Sequence, residues 1–213
     1  DTKGEILHHE LTNDINNNII ALTYEYKTFD LSNFGGGEKD SIKGDGLVVY
    51  DSTGNLSWKW NVFDHEDPLS YENINSLKND WTHGNGIGVT HDNNYVLSLR
   101  TLNQLWKIDS KNGRILWKLG LNGNIPIEES SIFYAQHAIH EIGVDTFLLF
   151  DNGTRDERMI SRALIFSMRE DQFKLLNSIE LPKDLFSFKQ GSVYRFDQDK
   201  FLFCSSTNSK IVI

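Results

Sequence analysis

The sequence contains little cysteine and proline, no long apolar segment and fewer basic than acidic residues. Its single cysteine, Cys204, cannot form an internal disulfide and has no cysteine partner for a zinc site. The three prolines exclude long proline-rich linkers. No apolar run approaches the roughly 20 residues of a membrane-spanning helix, and residues 1–7 lack the regions of a signal peptide. We therefore expect no membrane span, and any secretion signal to have been removed.

The charge balance argues against nucleic-acid binding. Asp and Glu number 30 against 21 Lys and Arg, which gives a formal net charge of −9. Nucleic-acid binders collect Lys and Arg on one face, whereas the basic residues here are scattered. Hydrophobic residues make up 38% and aromatic residues 12% of the chain, too many for a disordered acidic tail. We predict a folded protein that does not bind nucleic acid.

Short apolar segments separated by Asn, Asp, Gly and Ser recur along the chain, and helical periodicity is nearly absent. Turns such as Asp51–Gly54 and Asp109–Gly113 contain Gly or Asn, which tolerate the positive φ of tight hairpins. This pattern predicts consecutive antiparallel hairpins. The predicted strands are Ile19–Glu25, Gly46–Tyr50, Ser57–Val62, Tyr95–Leu99, Gln104–Ile108, Ile115–Leu119, Thr146–Phe150, Arg162–Met168, Phe173–Glu180 and Phe201–Cys204.

An internal repeat organises these strands. Four similar segments, each passing through an Asp, Asn or Gly turn into a strand, start at His9, His83, His137 and Gly191. Their period is about 50 residues with about four strands, which is typical of a β-propeller blade. The longer first interval contains an inserted stretch, Gly35–Gly44, and the loop Asp64–Asp80. Within the insertion, Gly35–Gly37 are expected to form a flexible linker. We predict an all-β fold: a single β-propeller domain over residues 1–213, with about four blades and incomplete at one or both ends. An irregular β-sandwich is the alternative.

The start of each innermost propeller strand tends to face the central channel, so we expect His9, His83 and His137 to converge on one pocket. Arg100 and Arg162 follow at matching distances. Imidazole and guanidinium groups together favour an anion site, because they supply fixed cationic hydrogen-bond donors. A zinc or copper site formed by the histidines is an alternative, but no His-x-His or His-Glu-x-x-His spacing supports it.

Other residues near these positions are expected to play supporting roles. Trp81 directly precedes the His83 segment and is expected to line the pocket, whereas Trp58, Trp60, Trp106 and Trp117 are expected to pack the blades. Asp80 and Asp151 are expected to orient neighbouring side chains or cap turns.

The motifs also resemble a known family. In chain order they are Asp80–Ile87, Ser98–Arg100, Lys107–Gly120, Gln136–His137, Phe150–Gly153 and Ser161–Arg162, and together they resemble the bacterial arylsulfotransferases, or arylsulfate sulfotransferases. The likeness covers most of residues 5–205. It implies a six-bladed β-propeller, periplasmic or secreted, that moves a sulfuryl group from an aryl sulfate ester to a phenol. The reaction would be independent of PAPS and use no cofactor.

The resemblance also implies roles for individual residues. His83, His137 and Arg162 would be catalytic donors that hold the sulfuryl oxygens, and Asn85 would be an uncharged donor to the same group. Arg100, His9 and Trp81 are further substrate-binding candidates. The sulfate-accepting histidine of the family comes from a later segment, but Ser205–Ile213 contains none. We therefore expect the nucleophile beyond Ile213, or a protein that binds without turnover.

Two other functions stay open at this point. A non-catalytic propeller would use the same channel for an anionic ligand or its face for a protein partner. A quinoprotein-type dehydrogenase has similar Asp-x-x-x-Gly-x-x-x-Trp hairpins, but it needs a calcium site and a central aromatic platform for which the sequence shows no adequate set. The sequence assigns neither an oligomeric state nor the identity of donor and acceptor.

Overall fold

The computed structural model describes residues 4–213, and this part of the chain is all-β. It divides into two compact units, Asp1–Gly84 and Asn85–Ile213. The strands are β1 (Leu7–Asn13), β2 (Ile19–Phe29), β3 (Asp40–Tyr50), β4 (Leu56–Asn61), β5 (Gly84–Val89), β6 (Tyr95–Leu99), β7 (Gln104–Ile108), β8 (Ile115–Gly120), β9 (His137–Gly143), β10 (Thr146–Asp151), β11 (Arg162–Arg169), β12 (Gln172–Glu180), β13 (Ser192–Asp197), β14 (Lys200–Ser205) and β15 (Lys210–Val212).

The first unit is built on one antiparallel sheet in the order β1-β2-β3-β4. Ala21 and Val48, which face each other on β2 and β3, pack against Tyr50 to form a small core cluster. Between β4 and β5 lies the short helix α1 (Ile74–Leu77). No helix in residues 4–213 is long and apolar enough to cross a membrane.

The second unit contains two four-stranded sheets, β5-β6-β7-β8 and β12-β11-β10-β9, and a three-stranded sheet, β13-β14-β15. Trp117 of the first sheet meets Phe147 of the second edge to face, with ring centroids 6.2 Å apart, inside a large shared core. A second core joins Phe150 of the middle sheet to Val193 and Phe203 of the last. Burial of these aromatic side chains supplies most of the driving force for packing neighbouring sheets.

The sheets confirm the predicted fold class. Each four-stranded sheet follows the chain up and down without crossovers, which is the strand order of a propeller blade. All ten predicted strands are present, and β6 and β7 have the predicted bounds. The four-segment repeat also locates the first strand of each sheet, since β1, β5, β9 and β13 all begin within a few residues of a repeat start.

The prediction of a flexible linker at Gly35–Gly37 is wrong. Strand β3 already begins at Asp40, and the preceding glycines form a hydrogen-bonded turn. The N–H of Leu31 donates to the carbonyl of Gly37 at 2.8 Å, and the N–H of Gly37 donates to the Asp40 carboxylate at 2.8 Å. The glycines therefore form a closed loop that joins β2 to β3, whose strand pairing begins at Phe29 and Asp40.

Candidate functional site

Two of the predicted site histidines adopt an unusual backbone conformation. His9 on β1 has a φ of 51°, and His83, directly before β5, has a φ of 48°. Left-handed backbone is uncommon for residues other than glycine and persists only where surrounding contacts hold it. Eleven other non-glycine residues among residues 4–213 share this conformation, so it supports a site at the two histidines only together with their contacts.

The first unit brings His9 and His83 together. Their rings meet edge to face with centroids 5.1 Å apart. The Nδ1 atoms of His8 and His9 lie 2.7 Å apart, and the His8 ring stacks on Tyr24 at 3.8 Å. Three imidazoles therefore lie in contact within this unit, two of them predicted from the repeat. The third is His8, for which the sequence predicts no role in the site. It lies in the cluster because it directly precedes His9 on β1.

A carboxylate orients His83. Its Nδ1 is hydrogen-bonded to Oδ2 of Asp80, and Lys43 Nζ lies 2.7 Å from Oδ1 of the same carboxylate. Burial raises the pKa of Asp80, but the hydrogen bonds from His83 and Lys43 outweigh it and leave that pKa well below its usual value. Asp80 is therefore ionised. Because its oxygen can only accept, His83 carries a proton on Nδ1, and Nε2 is the nitrogen available for chemistry.

A second carboxylate, Asp45, supports the backbone at His83. It is almost completely buried in β3, accepts a hydrogen bond from the Thr82 hydroxyl, and accepts another from the N–H of Gly84 at 2.7 Å. Its other oxygen lies 3.2 Å from His8 Nε2. The segment on both sides of His83 is thus fixed from β3, which explains how its left-handed conformation is held.

The electrostatics of the first unit limit how many histidines can be charged at once. The pKa of His9 is lowered, first by burial and then by repulsion from His8 and His83. Adjacent imidazoles disfavour simultaneous protonation because like charges raise the free energy of the doubly charged state. His9 therefore takes up a proton less readily than an isolated imidazole does.

The second unit fixes His137 by a different device. Its Nδ1 lies 2.8 Å from Oδ1 of Asn152 and 3.0 Å from the carbonyl of Ala135. Asn152 is fully buried, and its Nδ2 donates to the carbonyls of Ser187 and Gln190, both at 2.6 Å. These donor bonds assign Oδ1 as the atom facing the ring. His137 therefore also carries its proton on Nδ1.

Asn85 and Gln136 form a buried amide network beside His137. Asn85 Nδ2 donates to the carbonyl of Gln136 at 2.8 Å, which uses one of its two N–H groups. Gln136 in turn donates to Ser98 Oγ at 3.1 Å and to the carbonyl of Leu99 at 3.2 Å. Arg100 follows Leu99 directly and is half-buried in the β6–β7 turn. The network ties the start of β9 to the end of β6.

Arg162 is engaged in a buried ion pair. Its Nε donates to Asp151 Oδ2 at 2.8 Å, and its two terminal nitrogens donate to the carbonyls of Ser130 and Ile132, both at 2.9 Å. Asp151 is fully buried, and Arg158 lies 2.5 Å from its other oxygen. A guanidinium has five N–H donors, so these bonds use three. Asp151 orients its neighbours, as the sequence analysis expected.

Next to this ion pair lies a cavity of 320 Å³ with a largely apolar wall. Arg158 connects the two features, because it pairs with Asp151 and also lines the cavity. The other lining residues are Met159, Ile160, Lys183 and Phe186. Apolar walls with two cationic side chains suit an aromatic ring that carries negative charge.

Trp81 lies in the core of the first unit. Its side chain has no exposed surface and packs against the rings of Phe63 at 5.4 Å and Tyr71 at 5.5 Å. The sequence predicts that Trp81 lines a pocket, whereas in the structure its side chain is completely buried. Trp81 could contact a substrate only if it became exposed. Its observed contribution is to anchor the segment that leads to His83.

Sequence reasoning missed several of these residues. Lys43, Asp45 and Asn152 were not singled out, although each holds a predicted site residue or its backbone. Asp45 did leave a signal, because a charged residue stands between two glycines directly before the apolar run Leu47–Tyr50. A buried carboxylate in such a place needs partners, and the partners here precede and follow His83.

Comparisons with known proteins agree with the fold. The structure is similar to a catalytically inactive variant of virginiamycin B lyase from Staphylococcus aureus, solved with quinupristin, at a TM-score of 0.51 and 12% identity over 95% of this chain and 50% of that one. Selenomethionine-substituted virginiamycin B lyase from Staphylococcus aureus has a TM-score of 0.47 and 12% identity, over 94% of this chain and 63% of that one. The chain thus spans about half the length of the first structure.

At such low identity the first likeness concerns the fold alone, and it is propeller-like. No curated protein sequence matches the chain significantly. The sequence profile of the family described as Arylsulfotransferase (ASST) matches residues 1–206, nearly the whole chain. The family predicted from the motifs is confirmed, and the chain belongs to the arylsulfotransferase family.

Proposed function

We propose that the protein is an arylsulfate sulfotransferase that transfers a sulfuryl group from an aryl sulfate to a phenol without a nucleotide cofactor. Family membership supports the reaction class. The observation that carries the proposal is the Asp80–His83 pair, because an imidazole fixed by a carboxylate in left-handed backbone is an arrangement for acid–base or donor chemistry.

The proposed reaction has two displacements. A histidine nitrogen of the complete site attacks sulfur, so that an N–S bond forms as the S–O bond to the phenol breaks, and the phenolate leaves. The oxygen of a second phenol then attacks sulfur, the N–S bond breaks and the phenol proton passes to a base of the site. Negative charge spreads over the sulfuryl oxygens in both transition states, which favours preorganised donors.

In this proposal His83 and His137 act as imidazolium rings that donate from Nε2–H to sulfuryl oxygens, since the Nδ1–H of each is already committed to an oxygen acceptor. Asp80 supplies the negative charge that balances a protonated His83 ring. Arg162 donates through the N–H groups that its internal bonds leave over, and Asn85 donates through its second N–H. We assign Arg100 the contribution of positive charge and His9 the role of a proton relay in substrate binding.

We place the aromatic ring of one substrate in the cavity lined by Met159, Ile160 and Phe186. Arg158 and Lys183 on its wall would select an anionic aryl group over a neutral one. The cavity adjoins the carboxylate that binds Arg162, so a ring placed there would lie close to a sulfuryl donor. Phe186→Ala is expected to raise the KM for aryl sulfates more than it lowers kcat.

The deciding experiment measures release of 4-nitrophenol from 4-nitrophenyl sulfate, with and without added phenol, and detects phenyl sulfate by mass spectrometry. We expect phenol-dependent turnover in the absence of PAPS. His83→Ala and His137→Ala should each lower kcat by about 10²–10³-fold. His65→Ala is the matched control, because His65 stacks on Trp60 and has no role in the proposed reaction. Undiminished turnover in both site variants would contradict the proposal.

A non-catalytic propeller that binds an aryl anion is the second candidate, favoured by the internal hydrogen bonds that already engage Arg162. In that case 4-nitrophenyl sulfate would bind in a calorimetric titration without release of 4-nitrophenol. The same His83→Ala and His137→Ala variants would then weaken binding instead of rate.

A further inference from the structure

His91, Glu141 and Asp145 form a cluster outside the proposed sulfotransferase site. His91 lies in the turn between β5 and β6, Glu141 lies on β9, and Asp145 lies in the β9–β10 turn. One nitrogen or oxygen from each side chain lies within 4.8 Å of the others. The closest pair, His91 Nδ1 and Glu141 Oε1, is 3.0 Å apart.

The backbone holds this cluster in place. The main-chain N–H of His91 donates to one oxygen of Glu141, and the N–H of Asp145 donates to the other at 2.9 Å. The Glu141 side chain is only 7% exposed although it is charged. Two candidate ligand residues thus fix the carboxylate of the third, and outer hydrogen bonds of this kind orient carboxylate ligands at metal centres.

The charge of the cluster favours a cation. Two carboxylates face one imidazole, and a third carboxylate, Asp92, adjoins them and is paired with Lys107 at 3.0 Å. The hydrogen bond to Glu141 raises the pKa of His91, against a small opposing effect of burial. A divalent metal ion held by these three side chains would neutralise the two carboxylates.

We propose that His91, Glu141 and Asp145 bind a zinc-class divalent transition metal. One imidazole and two carboxylates are a ligand set that Zn²⁺ accepts, whereas Ca²⁺ and Mg²⁺ prefer oxygen ligands alone. Tetrahedral zinc places its ligand atoms about 3.4 Å apart, and the three ligand atoms here all lie within 4.8 Å of one another, so the site would close as the side chains draw together. Water would occupy the fourth position.

The metal would join two neighbouring sheets of the second unit, because His91 belongs to the turn of one and the carboxylates to the first hairpin of the next. This site does not depend on the proposed sulfotransferase function. Sequence spacing could not indicate it, since 50 residues separate His91 from Glu141.

The test is a calorimetric titration of chelator-treated protein with Zn²⁺, together with the visible spectrum of the Co²⁺ complex and thermal unfolding with and without Zn²⁺. We expect one equivalent to bind, the Tm to rise and tetrahedral Co²⁺ bands to appear. His91→Ala and Asp145→Asn should each weaken Zn²⁺ binding by about tenfold or more. Affinity should fall as pH falls, because the proton on His91 competes with the metal.

His65→Ala is the matched control, because His65 also lies among acidic residues, namely Asp64, Glu66 and Asp67. The His65→Ala protein should bind Zn²⁺ as tightly as the wild type does. Wild-type protein that fails to take up one equivalent at about 100 µM Zn²⁺ overturns the proposal. The same holds if His91→Ala binds as tightly as wild type, or if His65→Ala loses as much affinity as His91→Ala.

Discussion

His83 is hydrogen-bonded through Nδ1 to Asp80, a carboxylate whose other oxygen is held by Lys43 at 2.7 Å. The two contacts have different effects. Lys43 fixes the position of the Asp80 carboxylate, and the carboxylate fixes the tautomer and the plane of the His83 ring. An orienting carboxylate of this kind matters mostly in the transition state, where it balances the charge of the protonated imidazole.

Replacing Asp80 with Asn is therefore expected to lower kcat for sulfuryl transfer by about 10²–10⁴-fold, with little change in KM. The amide can still form a hydrogen bond but no longer supplies a negative charge. Asp30→Asn is the control, because Asp30 is an exposed carboxylate bonded to Ser32 in the same unit. Equal kcat values for the two variants would show that Asp80 has no role beyond structure.

Arg162→Ala tests whether the guanidinium is structural, catalytic or both. Its loss leaves the buried carboxylate of Asp151 with Arg158 as its remaining ion-pair partner, and frees the carbonyls of Ser130 and Ile132. We expect the free energy of unfolding to fall by about 3 kcal/mol, as for other broken buried pairs. Urea unfolding measures this directly.

The double variant Arg162→Leu with Asp151→Asn separates the two roles. It removes the buried charge of Asp151 together with Arg162, leaves only the partly exposed Arg158 without its carboxylate, and should recover part of the lost stability. Sulfuryl transfer should stay low if Arg162 also donates to the substrate. Recovery of turnover along with stability would assign Arg162 a purely structural role.

The sequence predicts strands best where apolar residues lie between short polar turns. Strands β6 and β7 are buried at every position and flanked by Asp, Asn and Gly, so their bounds are correct. Strand β1 carries a polar sequence with no buried residue, and β5 is rich in glycine, so only the repeat indicates their positions. Strands β1 and β5 form because each is hydrogen-bonded to its neighbouring strand, and the composition of a segment does not encode that pairing.

The repeat also predicts part of the candidate site. His83 and His137 were found because the repeat places them at equivalent points, and Asp80 was expected to orient a neighbour. The partners that fix them, Asp45 for the His83 backbone and Asn152 for His137, come from other strands or loops. Side-chain pairs between distant segments depend on sheet register, which a single sequence does not give.

Gly153 is expected to be essential for the loop that presents Asn152 and Arg158. It has a φ of 72°, and an added Cβ would lie 2.2 Å from the carbonyl oxygen of Arg158. Gly54 is the matched control: its φ is 80°, but nothing lies within 4 Å of an added Cβ. Gly54→Ala should cost about 1 kcal/mol from backbone conformation alone.

Gly153→Ala should cost clearly more, because the loop must also move away from the new methyl group. Thermal unfolding of the two variants measures the difference. Gly153→Ala should in addition lower activity, since His137 loses the fixed position of Asn152. A Gly153→Ala protein as stable and as active as Gly54→Ala would contradict this role of the loop.

His140 is expected to reduce stability at acidic pH. Burial lowers its pKa below the ordinary 6.5, and its ring packs 4.7 Å from that of Tyr194 on β13. The unfolded chain therefore takes up a proton at a higher pH than the folded protein does. Stability from neutral His140 is present above the unfolded pKa and is lost as pH falls below it.

His140→Phe should remove this dependence. The free energy of unfolding of the variant, relative to that of the wild type, should therefore rise as the pH is lowered from about 7.5 to about 5. His91→Phe provides a comparison of opposite sign, because Glu141 raises the pKa of His91. The stabilisation from His91 is present at low pH and is lost as pH rises through its folded-state pKa. The free energy of unfolding of His91→Phe should therefore lie further below that of the wild type at about pH 5 than at about pH 7.5. Urea unfolding at the two pH values measures both differences. Parallel shifts in the two variants would show that burial of His140 does not govern its protonation.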